Sequence, residues 1–132
     1  KAIREKESVH IPFSFSPGNV VTRIGIEDTF YTPETGQLAS ANHDYFSVER
    51  WLDVSDAHDG VTLTSPQLAL WEIGSMIDER RIYHGEKKWK DSNTSSPLLF
   101  GYLLNNYWHT NYKADQEGKI EFTLRLSGSY SE

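Results

Sequence analysis

A chain of 132 residues has room for one hydrophobic core and is short for two. Aromatic residues make up 13% of it, four tryptophans among them, and such side chains bury enough area to make a folded domain the expectation rather than disorder. A net charge of −6 with no cysteine argues against a basic surface for nucleic acid or an anionic membrane, and removes disulfides and thiolate metal sites. No apolar run approaches the ~20 residues of a membrane-crossing helix, and no signal-type apolar segment follows the charged start.

In residues 9–15, Val9, Ile11, Phe13 and Phe15 alternate with His10, Pro12 and Ser14, the period of a strand buried on one face. Pro12 cannot donate to a sheet ladder and places this strand at an edge. Ser16, Pro17, Gly18 and Asn19 carry turn chemistry, after which Val20, Thr22, Ile24 and Ile26 resume the alternation, so the pair reads as a hairpin. Residues 32–42 have no period and read as a loop anchored by Tyr31 and its proline. Residues 45–55 read as one strand, with Phe46, Val48, Arg50, Leu52 and Val54 on one face and Tyr45, Glu49, Trp51 and Asp53 on the other.

A turn at 56–60, favoured by Asp56 and Asp59, leads to short strands at 61–64 and 68–73. Residues 75–97 are polar and charged and read as a surface excursion. Residues 98–108 and 118–127 are the closing strands, the latter alternating Ile120, Phe122, Leu124 and Leu126. About seven strands and no amphipathic helix predict an all-β, antiparallel β-sandwich forming a single domain over residues 1–132. Val48, Leu52, Val54, Ile120, Phe122, Leu124 and Leu126 are expected to be buried together. The chain begins without methionine, in a polar stretch running straight into a strand, as a segment of a longer polypeptide would.

Chemistry is harder to find. His10, His43, His58, His84 and His109 show no ligand spacing, so no metal site is expected within this chain. Neither a nucleophile elbow, a phosphate loop nor a dinucleotide fingerprint occurs. Glycoside hydrolysis needs paired carboxylates, but Glu49 and Asp53 on one extended strand would stand roughly 13 Å apart, beyond the range for either stereochemical course. The stretch 105–112 interleaves Asn106, Trp108, His109, Asn111 and Tyr112 with a further asparagine and tyrosine, stacking faces beside amides that can grip sugar hydroxyls. It suits equally a strand end docked on a neighbouring domain. Arg50, Trp51 and Asp53 form a second cluster, for which the plainer reading is a core tryptophan beside an ion pair.

These residues resemble a known family. Tyr31-x-Pro33-Glu34-x-x-x-Leu38, then Phe46-x-Val48-x-Arg50-Trp51-Leu52-Asp53-Val54-Ser55 and Gly60-Val61-Thr62-Leu63, resemble the region after the catalytic domain of family 38 α-mannosidases, bacterial members above all. The stretch from Asn105 through Tyr112 to Gly118 is similar to a second pattern of that family, in the same order along the chain. The resemblance implies a parent that is a zinc-dependent, retaining α-mannosidase with its zinc ligands and nucleophile in a separate barrel. It also implies a sandwich that is part of a galactose-mutarotase-like supersandwich, packed on that catalytic domain and helping to complete a cleft for mannose-containing carbohydrate. No catalytic residue of the family carries over to this chain. An independent carbohydrate-binding module using Tyr107, Trp108 and Tyr112 is the alternative from another class. A small mutarotase-type isomerase would require His10 or His109 to face Glu49 or Asp53 in a cleft.

Overall fold

The computed structural model describes residues 7–15, 19–33, 35–76, 96–106 and 117–130. Nine strands run through them: β1 (Glu7–Ser14), β2 (Val21–Ile26), β3 (Thr29–Tyr31), β4 (Phe46–Ser47), β5 (Leu52–Ser55), β6 (Asp59–Thr64), β7 (Leu70–Ile73), β8 (Leu98–Asn106) and β9 (Arg125–Tyr130). No helix occurs among the described residues. Every pairing is antiparallel, and the strands form a four-stranded sheet, β1-β8-β7-β4, and a five-stranded sheet, β3-β2-β5-β6-β9. The fold is an all-β sandwich, as the alternation predicts.

The core lies between the sheets because both turn their alternate apolar residues inward. Ile24, Leu52, Val54 and Leu63 come from the five-stranded sheet, and Phe46, Trp71, Ile73 and Leu99 from the four-stranded one. Trp71 satisfies its buried indole N–H by donating to the Leu68 carbonyl at 3.1 Å. Gly101, opposite Trp71 in β8, makes room for this packing: a Cβ there would stand 2.6 Å from Leu68 Cδ2. Tyr31 packs on the core, Pro33 is fully buried, and the intervening loop is pinned as the sequence suggests. Burial raises the Tyr31 hydroxyl above the ordinary phenol value.

Three readings are corrected. Residues 9–15 and 20–26 do not form a hairpin: β1 pairs with β8 in one sheet and β2 with β3 and β5 in the other. Pro12 does sit on an edge strand, since among the described residues β1 has β8 as its single neighbour. Residues 45–55 are not one strand either, because β4 pairs with β7 and the chain then crosses the sandwich to enter β5. The second misreading has a plain cause: the chain crosses between sheets with Phe46, Val48, Leu52 and Val54 all inward, so the two-residue period runs on across the crossing. Finally, Val48, Leu52 and Val54 are buried and Phe122 and Leu124 pack against them, but Ile120 is 42% and Leu126 52% exposed. All six residues of β9 are exposed, and none of them belongs to the core cluster or packs against it. The excursion expected at 75–97 lies mostly outside the described residues.

Candidate functional site

The turn from β2 to β3 is two residues long, Glu27 and Asp28, and Glu27 takes a positive φ of 42°. A non-glycine residue adopts that conformation at some cost. Glu49 helps hold it, accepting a 2.9 Å hydrogen bond from the Glu27 amide on its Oε2. The neighbouring residues are fixed by Gly25: its N–H donates to the Trp51 carbonyl at 2.8 Å, and its carbonyl accepts from the Arg50 N–H at 3.2 Å. Trp51 then lies directly over Gly25. A Cβ at that position would stand 2.5 Å from Cε2 and Nε1 of the indole, so only glycine permits the approach. Phe30 meets the ring from β3, tilted by 44° with centroids 6.0 Å apart.

Trp51 is therefore half-buried on the outer face of the five-stranded sheet, outside the core cluster. Together with Glu49 and Arg50 it forms one wall of an open cleft of about 700 Å³, whose other side includes Gln67 and Arg125. That volume is within the range of small-ligand pockets. Gln67 is oriented by its Oε1, which accepts from the Thr123 N–H at 3.1 Å.

Asp53 does not line the cleft. Its carboxylate accepts from Arg23 Nη1 at 3.2 Å, Ser55 Oγ at 2.7 Å and Thr62 Oγ1 at 2.9 Å, a polar ladder across β2, β5 and β6. Arg23 also donates to Ser55 Oγ at 2.7 Å. The ion pair expected beside Trp51 thus exists with Arg23 rather than Arg50. Glu49 and Asp53 are turned to separate partners rather than to a shared substrate position.

The structure also joins two residues that the sequence reading left apart. Glu72, fully buried in β7, accepts a 2.9 Å hydrogen bond from His10 Nε2. Trp71 and Ile73 point into the core, so Glu72 faces the outer side of the four-stranded sheet. Tyr102 stacks on His10 at 4.3 Å and on Tyr45 at 5.6 Å, three nearly parallel rings closing over this face. An acid inside the apolar run 68–73 was the available signal for Glu72. Arg125 gave none, since it reaches the cleft from β9, far along the chain, and Gln67 gave none, since it stands in the bend between β6 and β7 with no motif around it.

Of the aromatic run, Asn105 is exposed near the end of β8, and Asn106 closes that strand by pairing with Glu7. Trp108, His109, Asn111 and Tyr112 lie outside the described residues. Among the described residues, no group of three or more histidines and carboxylates is placed to hold a metal ion. No helix among them is long and apolar enough to cross a membrane. In comparisons with known proteins, no family model, no curated protein and no solved structure matches this chain.

Proposed function

We propose that this chain is a non-catalytic β-sandwich of a glycoside hydrolase, the C-terminal module of a family 38 α-mannosidase, and that its Trp51 cleft contacts carbohydrate. The observation that carries the reading is Trp51 itself, a flat apolar ring fixed over Gly25 at the wall of an open cleft that Glu49, Arg50, Gln67 and Arg125 also line. Sugars bind such sites by laying their C–H faces on an aromatic ring while hydroxyls meet amides and guanidinium groups. Glu49 is the one carboxylate among the described residues of that cleft, and it is engaged with the Glu27 amide. Glycoside hydrolysis typically uses two. The mannosidase parent, its zinc and the mutarotase-like ancestry of the sandwich rest on the motif residues.

The exposed strand β9, with Leu126 and nearby Ile120 uncovered, favours a module that packs on a catalytic domain over a free-standing carbohydrate-binding module. Titration calorimetry of the purified chain with mannobiose, beside an assay on aryl α-mannosides with and without zinc, tests the proposal. Saturable binding without turnover is expected. Zinc-dependent turnover that is lost on replacing a histidine contradicts the non-catalytic reading, and absence of any saccharide binding contradicts the role of the cleft.

A further inference from the structure

We propose that the cleft selects a saccharide bearing an anionic group, a carboxylate or a phosphate ester, with Arg50 and Arg125 as the two clamps and Trp51 as the platform for the ring. The inference rests on the carbohydrate reading of this cleft and adds the chemical class of the ligand.

Three arginines, two in strands of the five-stranded sheet and Arg50 in the bend before β5, show the contrast that motivates it. Arg23 is spent on structure, donating to Asp53 and Ser55 within the sheet. Arg50 has its nearest carboxylate, Asp28, at 3.9 Å, too far for a hydrogen bond, and Asp28 is wholly exposed. Among the described residues Arg125 has no carboxylate partner, although it stands in β9 beside Thr64 of β6. Two guanidinium groups thus line one concavity in a chain whose net charge is −6. Glu49, the carboxylate that could offset them, is turned to the Glu27 amide.

A guanidinium offers five donors in a plane, a geometry that matches the paired oxygens of a carboxylate or phosphate. Two of them lining one cleft repel each other until an anion sits between. Neutral sugars supply hydroxyls, which satisfy single donors and leave the charge unanswered. An acidic sugar meets both demands, with its ring on Trp51 and its anion between the arginines. Opening at the surface keeps the charges hydrated in the empty cleft, so the arrangement stands without a ligand.

The test is calorimetric titration of the chain with four probes: mannobiose, a uronic acid disaccharide, mannose 6-phosphate and inorganic phosphate. At least one of the two acidic sugars is expected to bind tenfold or more tightly than mannobiose, by an amount that shrinks as salt is raised from 50 to 500 mM. Whichever acidic sugar is preferred identifies the anion. Arg50→Gln and Arg125→Gln should each move the acidic-to-neutral affinity ratio towards one, with thermal unfolding used to verify the fold. Equal affinity for mannobiose and both acidic sugars overturns the anion inference while leaving the carbohydrate reading intact. Inorganic phosphate binding as tightly as the sugars shows an anion site without saccharide recognition, and overturns the proposal through its carbohydrate premise. Binding of none of the probes overturns both.

Discussion

The outer faces of the two sheets both combine charged or titratable groups with aromatic rings, and treat them in opposite ways. On the four-stranded sheet a carboxylate, an imidazole and two tyrosine rings are closed together, with Glu72 wholly buried and hydrogen-bonded to His10. On the five-stranded sheet the half-buried Trp51 and the exposed Arg50 and Arg125 line an open cleft. Burial decides what such groups are worth. A buried carboxylate has its partners fixed and chiefly specifies how strands meet, whereas an open guanidinium keeps its donors for something that arrives from outside. The more enzyme-like pair, His10 and Glu72, is accordingly the more structural one.

Removing a partner from the buried face should give the largest effect. His10→Ala takes one hydrogen bond from Glu72 and unstacks Tyr102, and is expected to lower unfolding stability by on the order of 3 kcal/mol. The urea midpoint should fall at constant slope. A loss below about 0.5 kcal/mol would show that the two faces are not energetically distinct.

Gly25→Ala sharpens the contrast from the other side. The new methyl collides with the indole of Trp51, so a cost of about 1–3 kcal/mol from overpacking is expected together with weakened saccharide binding. Stability measured by denaturant and affinity by calorimetry should both fall. Retained affinity would mean that the position of Trp51 is immaterial to the ligand.

Asp53→Asn probes the polar ladder, where Arg23 is more than a third exposed. About 1 kcal/mol or less is expected on the urea midpoint, since partly solvated pairs contribute little.

How far the sequence reaches can be seen residue by residue. Val20, Thr22 and Ile24 alternate and are buried as the period demands. That period reports which way a side chain points and nothing about which sheet holds it. For this reason β4 and β5 look continuous in sequence, and β1 and β2, joined by turn-forming residues, look paired, although each couple belongs to different layers. Ile120 and Leu126 have the same pattern and remain exposed, since alternation by itself does not fix how deep a residue lies. At the site, Arg50 and Trp51 were legible as a cluster of chemistry. Their companions Gln67 and Arg125 were not: Gln67 stands in the bend between β6 and β7, Arg125 in β9 far along the chain, and the β6–β9 pairing that brings Arg125 to this side exists only once the chain is folded.

The smallest effect concerns Tyr31. Burial raises its folded-state pKa, so above an ordinary phenol value near 10 the unfolded chain releases a proton that the folded chain keeps, and stability falls as pH rises through that window. Below it the shift contributes nothing. Tyr31→Phe should therefore flatten part of the stability loss on the alkaline side of the ordinary phenol value, measured by urea unfolding at each pH.

The most direct test of the open cleft as a carbohydrate surface is Trp51→Ala. Affinity for mannobiose and for an acidic disaccharide should be measured by calorimetry on wild type and variant, beside the thermal midpoint of each. The expected result is a loss of at least tenfold in affinity for both sugars while the variant still unfolds cooperatively, since the ring lies outside the core cluster. A folded variant that binds either sugar as tightly as wild type would contradict the assignment of this cleft.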